Sequence, residues 1–249
     1  MVRIKDPKVS LSFPKIIKKT KMTKDYLNRK FEFIDLNSDN LHIQNLHFNN
    51  CKFEYCNIRS TDFPKNRGVI EDITMRNCSS VSSNLGNLVV KNCTFENLKT
   101  NGMVQIVGAV YERVKLIGKF NKMMLINEYN TPNKNVKDQY TLANKAFYKQ
   151  IDWAIDISKA DFVELNLRGI PSDLVIRNEE FQAIIRKKNI PSDWKKLKFS
   201  SPVTKVVLDN IFYFNFDDYI FMACRRHPNF KGILNDIELL RKNGIADWN

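Results

Sequence analysis

The stretch CKFEYCNIRSTDF, residues 51–63, repeats itself every five residues. Small or apolar residues fall in pairs two apart, Cys51/Phe53, Cys56/Ile58 and Thr61/Phe63, with polar residues between them. A helix repeats every 3.6 residues and a strand every two, so neither accounts for a five-step. A triplet reading inward–outward–inward is a very short strand, because side chains alternate faces. Two further residues then turn the chain through a corner. Repetition of that unit winds a wall whose inward residues form one stacked column, each turn pairing its backbone with the turns above and below.

The pattern extends on both sides. Backward it reads Phe31/Phe33, Leu36/Ser38, Leu41/Ile43 and Leu46/Phe48, with Ser38 the one polar exception. Forward it resumes in shifted phase as Ile73/Met75, Cys78/Ser80, Ser83/Leu85, Leu88/Val90 and Cys93/Phe95. It slips again to Val104/Ile106, Ala109/Tyr111 and Val114/Leu116, and a last block reads Ile155/Ile157, Ala160/Phe162 and Leu165/Leu167. The inward stack is therefore expected to include Phe33, Ile43, Phe48, Phe53, Ile58, Phe63, Phe95, Phe162 and Leu167. Cys51, Cys56, Cys78 and Cys93 share one repeat position, where a small buried residue is expected. Their spacing carries no zinc pattern, and reduced thiols fit a cytosolic home.

Blocks such as CNIRS, TDFPK, ADFVE and LNLRG resemble pentapeptide repeats. In that family a small residue and a Leu or Phe two positions later face inward, and four quintets make one coil of a right-handed, four-sided β-helix. Cys51, Cys56, Thr61, Cys78, Ser83, Cys93, Ala109 and Ala160 match its first inward position, whereas Leu36, Leu41, Leu46, Leu88 and Leu165 are larger than that position prefers. The resemblance covers 31–127 and 155–170, with breaks at 64–72 and 97–103. It implies a mainly β solenoid, a right-handed β-helix of pentapeptide-like repeats, with an inserted helix and an α/β C-terminal region. Two other windings compete. Ile43, Leu46, Phe48, Cys51 and Phe53 also fit a leucine-rich template, but that needs a period of about 20–29 residues, and here the next pair follows at once. A three-sided β-helix is the other.

Three segments are expected: a basic arm over 1–30, the β-helix over 31–170 with a loop–helix insertion at 128–154, and a capping or recognition region over 171–249. In the insertion, TLANKAFYKQIDWAI has helical spacing, with Thr141 as N-cap and Leu142, Ala146, Ile151 and Ile155 as its buried stripe. In the last region the sequence predicts a helix over 178–188, an aromatic β-rich stretch (TKVVLDNIFYFNFDDYIFMA) and a helix with Ile233, Ile237 and Leu240 on one face, ended by Gly244. A wound wall exposes strand edges at its ends, so capping is the first role for this region.

Net charge is +13. Residues 1–30 hold ten Lys and Arg against Asp6 and Asp25, so the excess belongs to the arm rather than to the wound segment. Candidate contacts to an anionic partner are Lys15, Lys18, Lys19, Lys21 and Lys24 in the arm. A second cluster comprises Arg186, Lys187, Lys188, Lys195 and Lys196, with Trp194 among them as a stacking platform. No signature of a nucleotide, metal or hydrolase site occurs, and a Cys224/His227 pair is the one imaginable dyad. His42 and His47 take equivalent outward positions.

The expectation is a non-catalytic protein-binding solenoid, without cofactor or membrane span and cytoplasmic. One form of it is a bacterial immunity protein or antitoxin that occludes a toxin. The alternative is nucleic-acid binding through the arm and the 186–198 cluster. The family resemblance also implies topoisomerase interaction through an acidic, DNA-like surface, from which this basic chain departs.

Overall fold

A computed structural model describes residues 23–60, 63–129 and 131–248. Thirteen mostly short, parallel strands form one large sheet that curls on itself, solenoid-like, beside a four-stranded parallel sheet, with few helices. Side chains come into register in four columns. Tyr26, Phe48, Met75, Phe95 and Leu116 form one. Phe31, Phe53, Ser80 and Thr100 form the second. Leu36, Ile58, Leu85, Ile106, Leu125 and Leu167 form the third. Ile43, Ile70, Val90 and Tyr111 form the fourth. The chain returns to register after 22 residues between Asp35 and Asn57, 27 between Cys56 and Ser83, 20 between Asn77 and Asn97, and 21 between Asn92 and Arg113. Four quintets thus suffice for one return, and the longer one contains an insertion.

The columns are packed as a core. Phe31, Phe48, Cys51, Cys56, Cys78, Cys93, Leu88, Val90, Tyr111, Leu116, Phe162 and Leu167 are buried. Ile43, Phe53, Ile58 and Phe95 are half-buried against them. The aromatic rings interlock: Tyr26 stacks on Phe48 at 5.1 Å, Phe31 stacks on Phe53 at 4.9 Å, and Phe31 meets Phe48 edge-on at 5.6 Å.

A second five-step fixes the corners. The residue two beyond most inward-facing column residues takes a left-handed backbone, which Asn tolerates better than most residues. Asn50, Asn77 and Asn97 have φ of 53, 53 and 54°, and Asn45, Asp72 and Asn92 have 56, 54 and 51°. That twist aims the corner N–H at the next turn: Asn50 donates to the carbonyl of Arg76, Asn77 to Glu96 and Asn97 to Ile117. The amide that a tight bend would orphan is thereby satisfied. Where an Asn side chain reaches forward, the next turn has glycine. A Cβ on Gly108 would lie 2.1 Å from Oδ1 of Asn87, and one on Gly169 would lie 1.9 Å from Oδ1 of Asn127.

This geometry corrects the inward assignment at two positions. Phe33 sits at a left-handed corner (φ 52°), 49% exposed, while its neighbours Phe31 and Ile34 are buried. The inward residues there are Phe31 and the pair Ile34/Leu36, with Arg29 exposed, and a turn at 39–40 shifts the phase before Leu41. The polar Ser38 was never an inward position. Phe63 is 45% exposed, because the five-step stops before a 3-10 turn at Pro64–Asn66. Thr61, assigned inward beside it, lies outside the described residues.

The inserted helix is α1 (Lys134–Tyr148), which starts eight residues earlier than the Thr141 cap would place it. Asn133 is the N-cap, accepting from the Val136 N–H, while Thr141 is internal and donates to the Lys137 carbonyl. Its buried stripe is Tyr140, Asn144 and Tyr148, whereas Leu142 is 68% exposed and Ile155 begins the strand Ile155–Arg168. The hydropathy pattern pointed the wrong way because the face that docks is aromatic and polar. It meets Arg67, at the end of the 64–67 insertion, so the two largest departures from the five-step pack on each other.

Beyond Arg168 the parallel sheet gains only the short strand Val175–Ile176, paired with Ile155 and Asp156. The stretch expected as a helix over 178–188 is instead the strand Gln182–Arg186, antiparallel to Asp218–Met222. All of Gln182, Ala183, Ile184 and Ile185 are buried, which matches burial on both faces rather than a helical stripe. The aromatic stretch divides into α2 (Pro202–Tyr213) and that second strand. Then α3 (Phe230–Lys242) buries Ile233, Ile237 and Leu240 and ends at Gly244, φ 68°. These elements close over a separate core of Ile185, Trp194, Leu208, Ile211, Phe221 and Ile237. Ile184, Ile220 and Met222 instead join the wound core. Arg226 Nη1 also donates to the Phe120 carbonyl at 2.7 Å. No helix among the described residues is long and apolar enough to cross a membrane.

Candidate functional site

The outer wall carries charge in compensating ladders. Lys30 bridges Glu32 at 2.7 Å and Glu54 at 2.9 Å, Arg76 meets Glu96 at 3.2 Å, and Lys122 meets Glu164 at 3.1 Å. His42 pairs with Glu71 at 2.8 Å and His47 with Asp25 at 3.1 Å, each across adjacent turns. Such exposed pairs add little stability. They leave the wall polar and near neutrality.

One corner ladder departs from this. Phe33 and Tyr55 occupy successive positions with φ of 52 and 55°, and the next turn places Ser82 there at 48°. Their rings stack at 5.2 Å and 7°, and they are 49% and 51% exposed. A bulky side chain at positive φ is an outlier, and here two are stacked and offered to solvent. The five-step placed Phe33 in the core, so the pair escaped notice. The corner Asn spacing would have exposed it, since Phe33 stands five residues after Asn28 and five before the corner turn that follows Leu36.

The arm residues Lys15, Lys18, Lys19 and Lys21 lie outside the described residues. Lys24 is exposed at the first strand, its amine 5.1 Å from the Tyr26 ring centroid. The second basic cluster is described throughout, and its members do not converge on Trp194. That indole is 5% exposed in the C-terminal core, so it is no stacking platform. Arg186 is held by Asp173 at 2.6 Å, which keeps the Asp173 carboxyl below its usual range. Lys195 lies 3.6 Å from Asp209 and Lys196 lies 3.3 Å from Asp193. Lys187 points elsewhere: its amine reaches Oδ1 of Asn215 and lies 5.8 Å from the Phe212 ring.

Phe212 begins an aromatic run within the stretch rich in β-branched and aromatic residues that the acidic pair Asp217/Asp218 splits. Phe212, Tyr213 and Phe214 close α2 and are 42%, 81% and 41% exposed. The helix buries Thr204, Leu208 and Ile211, so its spacing turns Lys205, Val206, Asp209, Phe212 and Tyr213 outward. Phe214 stacks on Phe216 at 5.5 Å and receives the Arg168 guanidinium at 4.7 Å, and Tyr213 meets it edge-on at 4.8 Å.

The Cys224/His227 pair is not an activated dyad. His227 Nδ1 accepts from the Asn229 N–H at 3.0 Å. Burial pushes the Cys224 thiol up to about 12, so it stays protonated near neutrality. Cys224 lines a cleft of about 130 Å³ with Lys159, Asp161, Gln182 and Arg225. Among the described residues no three His, Cys, Asp or Glu side chains come together in a way that would hold a metal ion. Comparison with protein-family models, with curated proteins and with solved structures gave no match for the chain.

Proposed function

We propose that the chain is a non-catalytic binding protein that holds another protein against the Phe33–Tyr55 corner. In this reading the wall is a right-handed, four-sided β-helix of pentapeptide-like quintets, and 171–249 cap its C-terminal end. A partner-occluding inhibitor of the immunity or antitoxin kind is one biological form of that activity.

The observation that carries the reading is the stacked pair of aromatics at strained corner positions. Corners elsewhere hold Asn, Ser, Asp or Gly, which take the left-handed backbone at lower cost, apart from Arg113, whose side chain is tied to Asn92 and Glu112 rather than stacked and offered to solvent. Strain of this kind costs about 1–3 kcal/mol and gathers at functional positions. Exposed aromatic anchors set in a polar surround are also what dominates the energy of protein interfaces. A flat polar wall suits a protein partner better than a small molecule, which needs a concave site.

The test exploits the strain. The double substitution Phe33→Asn/Tyr55→Asn relieves both corners, so its melting temperature should equal or exceed that of the parent. Capture of a stoichiometric protein partner from nuclease-treated native lysate should be lost. Equal capture of the same partner by the parent and the variant would reject the corner as the contact.

A further inference from the structure

We infer that the outward face of α2, at Phe212, Tyr213 and Phe214, is a binding platform for single-stranded nucleic acid. The site is independent of the Phe33–Tyr55 corner and lies in the C-terminal region.

Burial does not explain these rings. The inner face of α2 is complete with Thr204, Leu208 and Ile211, and Phe216 fills the core behind it. Three consecutive large aromatics remain at the surface, where a contiguous apolar patch marks an interaction site. Tyr213, at 81% exposure, is the open ring. Its one aromatic contact is the edge-on packing of Phe214, which fixes its position and leaves ring surface free for a planar partner.

The surroundings decide the chemistry of that partner. Arg168 sits over Phe214 and Lys187 beside Phe212, so cations flank the rings on both sides. Lys188 and Lys205 are exposed on the adjoining segments. Of the six Lys and Arg over 186–198, Arg186, Lys195 and Lys196 are paired with Asp173, Asp209 and Asp193, which leaves Lys187 as the cation of that segment at the rings. Alternating cations and open rings match a chain in which phosphates alternate with bases, and base–aromatic stacking tolerates any sequence. A bilayer fits less well. Exposed Asn215 and Asp217 follow the rings directly, and insertion would carry them into the interface.

Binding of a fluorescein-labelled oligothymidylate to the full chain, followed by anisotropy, tests this. An abasic oligonucleotide with the same number of phosphates serves as the reference, because the basic N-terminal arm attracts both equally. The parent should bind the oligothymidylate about 10- to 100-fold more tightly than the abasic strand. Phe212→Ala/Tyr213→Ala should abolish that difference without changing abasic binding. Lys187→Glu/Lys188→Glu should weaken both and flatten their dependence on salt. All four positions are exposed or half-exposed, and unchanged melting verifies the fold. Equal binding of the two strands by the parent overturns the inference. A Tyr213-dependent association with phosphatidylserine vesicles or poly-glutamate, without one to oligothymidylate, overturns it as well.

Discussion

Arg67 Nη2 donates to Oδ1 of Asn144 at 2.5 Å, joining two buried side chains 77 residues apart. Asn144 Nδ2 in turn donates to the Asn127 carbonyl at 2.8 Å, and the Tyr140 ring lies 4.7 Å from the guanidinium. Burial pulls the Arg67 pKa below its ordinary value, partly offset by Tyr140 and Tyr148. The cation is thus held by an amide and aromatic rings.

Loss of the acceptor should hurt more than loss of the charge. Asn144→Ala leaves a buried guanidinium short of a partner, at a cost of about 2–4 kcal/mol. Arg67→Met/Asn144→Leu removes both groups and should cost less than Asn144→Ala alone. Urea unfolding of the two variants and the parent measures the difference. An Asn144→Ala cost below that of the double variant would mean that α1 is not anchored through this bond.

Gly169 should be among the least replaceable glycines. It combines φ of 72° with a Cβ position 1.9 Å from Asn127 Oδ1. Gly244 has φ of 68° and nothing within 4 Å. Gly244→Ala should therefore cost about 1 kcal/mol, for the backbone alone. Gly169→Ala should cost at least about 2 kcal/mol, and Asn127→Ala should rescue part of that. Thermal melts of the three variants check this, and equal costs for the two glycines would rule out the steric argument.

Asp236 ties α3 to the start of α2. Its carboxylate accepts from the Ser200 N–H at 2.6 Å, the Ser201 N–H at 2.9 Å and the Thr204 hydroxyl at 2.5 Å, at 1% exposure. Asp236→Asn turns one acceptor into a donor that faces donors, and should cost about 2–4 kcal/mol. Thr204→Val removes one bond and should cost about 1–2 kcal/mol. Denaturant titration of both variants decides, and an Asn variant as stable as the parent would place the carboxylate elsewhere.

The wall cysteines should be chemically silent. Burial pushes the Cys78 and Cys93 thiols up from 9.0 to about 11, and raises Cys56 as well. At pH 8 the thiolate fraction of a group at about 11 is on the order of 0.1%. Titration of native protein with a chromogenic disulfide at that pH should be slow, with rapid reaction of all five thiols in denaturant. Fast reaction of four thiols in the native state would contradict their inward placement.

The five-step over Cys51–Ile58 was legible because burial alone dictates it, and Phe48, Cys51 and Cys56 are buried where that spacing puts them, with Phe53 and Ile58 packed against them. Its phase over 31–38 was not, since Phe33 looks inward by hydropathy alone. The missing signal was conformational: Asn45 and Asn50, then Asn77, Asn87, Asn92 and Asn97, mark corners by their tolerance of positive φ. Counting two residues back from such a corner finds the inward residue. The docking stripe of α1 was illegible for another reason, because Tyr140 and Asn144 meet Arg67, more than 70 residues away, which no local spacing announces. Trp194 and Tyr213 exchanged roles for a similar cause. A tryptophan among lysines looks exposed, yet Trp194 is buried in the C-terminal core, while the helical spacing of α2 turns Tyr213 outward.

The 27-residue return between Cys56 and Ser83 has a further meaning. The columns on either side of it stay in register, Phe53 with Ser80 and Ile58 with Leu85, although this turn of chain is longer than its neighbours. Extra length is absorbed outside the winding, at a bend, and never reaches the layers above or below. A protein built this way can acquire new surface by insertion at its bends while its interior is copied unchanged, so its shape can diversify without a new folding problem being solved each time.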